Sequence, residues 1–180
     1  LPLNLLQVMY VDLSKNNYGP ELPDSISEAL STYPKLSQLD LSNNNLQKLN
    51  NNFTNTKLQT FQLSQNLFDA IPQNLEQNFP NLVQLQLDFN FIKKFETMAL
   101  KKLKTLSLSL NNIETIDFST IELLQLTSLD LSRNSITQIS PDLSHSCPNL
   151  RLLLLSDNFI TELPNDENTF PKQLEKLDLH

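Results

Sequence analysis

Asn16, Asn44, Asn66, Asn90, Asn111, Asn134 and Asn158 occupy one and the same place in a phrase that recurs along the chain. Written L-x-x-L-x-L-x-x-N-x-L, the phrase opens at Val8, Leu36, Leu58, Leu82, Leu103, Leu126 and Leu150, and an eighth copy opens at Leu174 and stops at His180 before its Asn. Successive openings lie 28, 22, 24, 21, 23, 24 and 24 residues apart. A sequence that repeats itself at this period is built from stacked units rather than from one folded-over core. In the second copy Leu39 and Leu41 alternate with Gln38, Asp40 and Ser42, the period of a half-buried strand. A turn follows, after which Leu46 and Leu49 return to the apolar side. One unit cannot bury these groups alone, whereas a stack buries them in a continuous core with short parallel strands on one side. Eight strands at about 4.8 Å spacing predict a sheet roughly 38 Å long.

The Asn answers a problem created by the turn. Backbone groups carried inside without partners cost about 1–3 kcal/mol each. An amide side chain both donates and accepts, so it is expected to bridge the turn of its own repeat to the next. Three apolar columns complete the predicted core. Tyr18, Leu46, Phe68, Ile92, Ile113, Ile136 and Ile160 follow the Asn by two, and Leu49, Ile71, Phe95, Ile116, Ile139 and Leu163 follow it by five. Leu5, Tyr33, Phe79, Leu100, Leu123 and Cys147 stand three residues ahead of the openings, a column that Asn55 and Pro171 interrupt.

This pattern resembles the leucine-rich repeat over nearly the whole chain. The resemblance implies an α/β fold: a right-handed, curved solenoid with a short-stranded parallel sheet on its concave face and irregular or short helical segments on the convex one. It implies a single domain over residues 1–180, with about seven complete repeats and partial ones at both ends. Repeats near 24 residues with Phe or Leu on the return segment look like the ectodomain repeats of Toll-type receptors and related secreted or cell-surface proteins. That likeness implies a non-enzymatic recognition module, extracellular or at the cell surface, that binds a protein or other macromolecule. The alternative is an intracellular scaffold or regulatory subunit, which the lone Cys147 would suit in the cytosol.

Composition narrows the chemistry. Net charge is −7, so the basic stripe that marks nucleic-acid binding is not expected. No apolar run reaches the 18 or more residues of a membrane span, so no membrane insertion is expected within this segment. Gly19 is the single glycine, which excludes the Gly-rich phosphate loop and the dinucleotide fingerprint. Two histidines and one cysteine argue against a metal site, and no cofactor is expected. Asp142, Ser144, His145 and Ser146 carry the letters of a catalytic triad without its context, and a surface turn is the expectation. Asn52-Phe53-Thr54 is an N-glycosylation sequon in a return segment. No basic segment followed by an apolar stretch opens the chain, and both ends read as cut: Leu1-Pro2-Leu3 as the tail of an earlier return segment, His180 as the interior of a strand. The expectation is a piece of a longer protein whose uncapped ends favour self-association.

Short helices are predicted on the convex side. Pro23 with the Ser25-x-x-Glu28 capping box marks one ending near Leu30, packing Ile26, Ala29 and Leu30 inward. Weaker signals run over Pro72–Phe79, Glu96–Leu103 and Pro141–His145. The contact surface is expected where the outward face departs from its polar habit. Phe89 and Leu110 are neighbours in the column just before the Asn, with Arg133 next to them. Leu152 and Leu154 replace the usual polar residues beside Arg151. These six residues mix apolar and Arg groups as binding hot spots do, and they are the predicted concave-face site.

Overall fold

A computed structural model describes residues 5–96 and 98–180. The reading of Leu1-Pro2-Leu3 as a return segment lies outside the described residues. In chain order the elements are β1 (Tyr10–Asp12), α1 (Asp24–Thr32), β2 (Gln38–Asp40), β3 (Thr60–Gln62), α2 (Leu75–Asn78), β4 (Gln84–Gln86), β5 (Lys94–Phe95), β6 (Met98–Ala99), β7 (Thr105–Ser107), β8 (Thr115–Ile116), a 3₁₀ turn (Phe118–Thr120), β9 (Ile121–Glu122), β10 (Ser128–Asp130), α3 (Leu143–Ser146), β11 (Leu152–Leu154) and β12 (Lys176–Asp178).

Eight of the strands, one per repeat, form one parallel sheet in the order β1-β2-β3-β4-β7-β10-β11-β12. Each pairs with its neighbour at the same point of the phrase, so that Leu39 lies against Val11 and Phe61, and Leu129 against Leu106 and Leu153. A one-residue slip would turn every inward leucine to solvent, so the pattern holds the register. The molecule is a parallel-strand solenoid with few helices. Its core runs the length of the stack, with Leu36, Leu58, Leu82, Leu103, Leu126 and Leu150 all buried.

The column two past the Asn is buried in the middle and opens toward the ends. Leu46, Phe68, Ile92, Ile113 and Ile136 are buried, while Tyr18 and Ile160 are only partly covered. In the column five past it, Phe95 and Ile139 are buried while Leu49, Ile71 and Ile116 are only partly covered. Leu5, expected in the third column of the core, is exposed at the end of the stack. Leu163, placed in the core by its spacing, is exposed; it sits in the return segment before the exposed loop 165–168. Asn55 is buried where an aromatic was expected, its Nδ2 donating to the carbonyls of Leu30 (2.8 Å) and Tyr33 (3.2 Å). Phe53 supplies the missing ring, meeting Phe61 and Phe79 edge-on at centroid distances of 6.0 and 5.0 Å. The interruption at Pro171 is also buried.

The convex side departs from expectation in two places. α1 begins at Asp24 with Pro23 as its cap, and no side chain caps it. The Ser25–Glu28 capping box does not form, because the Pro23 carbonyl already receives the amides of Ile26 and Ser27, both at 3.0 Å, which puts Ser25 inside the first turn. The described residues of the 96–103 segment are not helical. Met98–Ala99 is a strand that pairs with Ile121–Glu122, as Lys94–Phe95 pairs with Thr115–Ile116. Helix formation there would give up these two small ladders between adjacent return segments. Gly19 is required by space rather than by conformation: a methyl group on it would overlap the Asn45 carbonyl.

Candidate functional site

The turn that ends each strand determines what the surface can present. The Nδ2 of Asn90 donates to the carbonyl of Leu87 in its own repeat (3.0 Å) and to that of Leu63 in the repeat before (3.1 Å), while its Oδ1 accepts the amide of Phe68 at 3.1 Å. Asn44, Asn66, Asn111, Asn134 and Asn158 make the same three bonds. The bridge runs to the preceding repeat, not to the following one. Asn16, in the first described repeat, bonds among the described residues to Leu13 and Ser14 of its own turn and is exposed. The residue before each Asn is left-handed throughout: Lys15, Asn43, Gln65, Phe89, Leu110, Arg133 and Asp157 have φ between 54° and 56°. Their side chains are therefore carried past the strand ends, onto the rim of the sheet rather than its floor.

The floor is polar and acidic. Asp12, Asp40, Asp130 and Asp178 each accept the backbone amide two residues on, at 2.9, 2.8, 2.9 and 3.3 Å. They thus cap their own turns. The bond from Ser14 holds the Asp12 carboxyl below its ordinary range, and the bond from the His180 amide does the same for Asp178. Tyr10 is pushed the other way, by desolvation first and then by the charges of Asp12 and Asp40. Where Ser107 replaces the capping Asp, Asp88 of the repeat before takes over. Its Oδ1 accepts from the Ser109 amide (3.0 Å), the Ser109 hydroxyl (2.9 Å) and the Ser107 hydroxyl, and its Oδ2 from the Ser64 hydroxyl at 3.3 Å. Asp88 so ties three consecutive repeats together directly beneath Phe89.

The six residues singled out from the sequence fall into two groups. Phe89, Leu110 and Arg133 follow one another along the rim on adjacent repeats, and Arg133 is paired to Asp157 at 3.1 Å. Leu152 and Leu154 are half-buried on the floor in β11, with Leu154 in register between Asp130 and Asp178. Arg151 starts that strand and is paired to Glu175 at 2.5 Å. Three strand spacings, about 14 Å, separate Phe89 from Leu154, while Arg133 follows the strand paired directly with β11.

Residues missed from the sequence enlarge the rim. Leu67, Phe89 and Phe91 are 38%, 50% and 53% exposed, and they sit on either side of the Asn turn in two adjacent repeats. Leu67 and Phe91 directly follow Asn66 and Asn90, where the strand alternation has already ended. Counting one residue past each Asn for apolar side chains would have found them, together with the exposed Phe159.

Away from this face, Asn52 is exposed in a return segment, and the buried Phe53 anchors the loop that presents it. Cys147 is buried, and burial pushes its thiol up to about 12. The Ser144 hydroxyl donates to the Asn168 carbonyl (2.5 Å) and that of Ser146 to the Phe118 carbonyl, so neither is poised against His145. Among the described residues no group of three or more His, Cys, Asp or Glu is placed to hold a metal ion. No described helix is long and apolar enough to cross a membrane. A cavity of about 750 Å³ lies on the return side, between α2 and β6, with Ile71, Leu75, Met98 and Leu100 in its lining and Lys93 and Lys94 beside it.

A stack of this kind, with an acidic floor and an apolar rim, has the build of a binding scaffold. Family models described as Leucine rich repeat and Leucine Rich Repeat match residues 124–180 and 35–56. These matches, with the relatives below, support the leucine-rich-repeat family in its extracellular style. It is 28% identical to the human (Homo sapiens) oligodendrocyte-myelin glycoprotein over 95% of its own length and 42% of that protein's. It is 32% identical to the Toll-like receptor 2 type-2 of Gallus gallus over 99% of its length and 22% of that receptor's, and 28% identical to Tsukushi of Gallus gallus over 89% and 38%. The chain thus spans less than half the length of these curated relatives. Among solved structures it is similar to TLR13 in complex with ssRNA13, with a TM-score of 0.79, 28% identity, and coverage of 90% of this chain and 23% of that one. A leucine-rich-repeat protein of Leptospira interrogans follows at TM-score 0.75 and 26% identity, over 94% and 48%.

Proposed function

We propose that this chain is a non-enzymatic recognition module of an extracellular or cell-surface protein, of the immune-receptor or adhesion type. Its proposed contact surface is the sheet face and rim of repeats three to seven, where a protein partner docks. The observation that carries this reading is the exposed rim of Leu67, Phe89 and Phe91. Contiguous apolar side chains in water mark contact surfaces more often than they mark packing. Phe89, Leu110, Arg133, Arg151, Leu152 and Leu154 remain candidate contact residues, the first three on the rim and the last three on the floor. The two arginines are tied to Asp157 and Glu175. They therefore serve as orienting groups, with the apolar residues as anchors. The Asn ladder and a glycan on Asn52 belong to the same reading: the first holds the turns that present the rim, and the second sits in a return segment.

A second reading is nucleic acid, favoured by the likeness to a receptor solved with single-stranded RNA. The carboxylates of the floor oppose it, since phosphates laid over them would be repelled. The test is a screen of the purified chain against secreted and cell-surface proteins, followed by the double substitution Phe89→Ser and Leu154→Ser. The expected outcome is about tenfold or greater loss of affinity for the partner found, a typical cost for a buried apolar anchor, with the melting temperature unchanged. Unchanged affinity would remove the claim. Expression in a secretory host adds a check on location: a glycosidase-sensitive mass increment lost in Asn52→Gln is expected.

A further inference from the structure

We propose that the rim of repeats three to five and the floor beside it take a cationic polypeptide segment carrying apolar anchor side chains. This rests on the preceding reading of the site and names the chemistry of its partner. The rim supplies the apolar half. Phe89 holds a left-handed backbone, φ 54°, that asparagine adopts more cheaply and that Asn43 does adopt at the same place one strand beyond β3. A phenylalanine there carries a backbone cost of about 1–2 kcal/mol and leaves half its surface in water. Neither is recovered inside the fold, so the ring is used on its outer side. Leu67 and Phe91 extend the same patch across the turn.

The floor supplies the charge. Its outward residues include five carboxylates, on Asp12, Asp40, Asp88, Asp130 and Asp178, against one ammonium, on Lys176, and the Arg151 guanidinium beside them is paired with Glu175. Lys176 is already paired with Asp178 at 3.4 Å. Asp12, Asp40, Asp88 and Asp130 have no ion pair among the described residues. Asp12, Asp40 and Asp130 accept their turn amides on Oδ1. Asp12 and Asp40 also stand opposite each other in register, a like-charge pairing that a cation would relieve. Asp40 and Asp130 are four strand spacings apart, roughly 19 Å, with Asp88 and the rim between them. About six residues of extended chain cover that distance. A segment laid across the strands, with Lys or Arg toward the floor and an aromatic or aliphatic side chain toward Phe89 and Phe91, meets both surfaces at once. Complementary charge of this kind raises the association rate and selects the partner, while the apolar anchors hold it.

Fluorescence anisotropy on the intact chain tests this with three labelled probes: a peptide of about twelve residues alternating Lys/Arg with Phe/Leu, the same peptide with every cation replaced by Gln, and an oligouridine RNA. Three double variants accompany them: F89S/F91S on the rim, D40N/D130N on the floor, and E162Q/E167Q in the exposed return loop as a charge-matched control. Asn keeps the Oδ1 that caps each turn, and melting curves confirm that all three variants fold. The cationic peptide is expected to bind about tenfold tighter than the neutral one and to weaken about tenfold in F89S/F91S and in D40N/D130N, but not in E162Q/E167Q. Its affinity is also expected to fall in about 0.5 M salt. Equal binding of both peptides, lost in F89S/F91S, overturns the cationic partner and leaves the apolar contact surface standing. No binding of the cationic peptide, or an effect of E162Q/E167Q equal to that of D40N/D130N, overturns the proposal. So does tighter binding of the RNA, which would move the site to the nucleic-acid reading.

Discussion

Asn90 shows how much of the fold one side chain closes. Its amide is the partner of the buried Phe68 N–H and adds a second donor to the Leu63 and Leu87 carbonyls, which Asn66 and Asn111 also reach. Leaving that N–H orphaned costs about 1–3 kcal/mol, and the two lost donations add to it. Asn90→Ala is therefore expected to destabilise the chain by about 3 kcal/mol or more in urea unfolding. Asn16→Ala, at an exposed position with bonds inside its own turn, is expected to cost under about 1 kcal/mol, the net value of a solvated hydrogen bond. Equal losses at the two positions would mean that the ladder is ornament on a core that holds itself together. The recurrence of Asn was legible from spacing alone. The direction of its reach was not, because a donor and acceptor on one planar amide serve a neighbour on either side equally well until the geometry of the stack chooses. Asp88 was illegible for a different reason. It stands in a column filled by serine in the other complete repeats, and its work is done on Ser107 and Ser109 of the next repeat.

At the level of elements, the strands were the readable part. Leu39 with Leu41, and Leu85 with Leu87, alternate with polar residues, and both pairs are fully buried. Helix signals were weaker guides. The capping letters Ser25 and Glu28 were outcompeted by the Pro23 carbonyl, and residues 96–103 gained more from pairing Met98–Ala99 with Ile121–Glu122 than from a helical turn. The turns held the largest surprise. A whole column of non-glycine residues is left-handed, and only Asn43 and Asp157 among them are residue types that favour it. Half of the candidate site was hidden here, since Leu67 and Phe91 lie beyond the last alternating position. Phe89→Asn is expected to raise stability by about 0.5–1 kcal/mol by easing the left-handed backbone. The same change is expected to weaken partner binding, the usual opposition between stability and function. Denaturant midpoints read at constant slope check the first part; a stability loss above about 1 kcal/mol would assign the ring to the fold instead.

For the molecule as a whole, stability depends on pH through Cys147. Its thiol is buried and ionises only near pH 12 in the folded chain, against about 8.5 in an unfolded one. Its contribution is complete below pH 8.5 and is lost as pH rises from there toward 12, by at most about 1.4 kcal/mol per pH unit for one proton. Urea unfolding at pH 8, 9 and 10 is expected to show this decline in the native chain and a shallower one in Cys147→Val. Identical slopes would show that the site admits water. A thiol reagent at neutral pH is expected to leave Cys147 untouched until urea is added.

Each amide clasp faces the repeat that precedes it. During synthesis the amide of a newly extruded coil therefore meets carbonyls and an N–H that have already left the ribosome, while the N–H two residues past that amide waits for the coil that follows. Growth of the stack and growth of the polypeptide proceed in the same direction, and an interrupted chain stays joined up to its last finished turn.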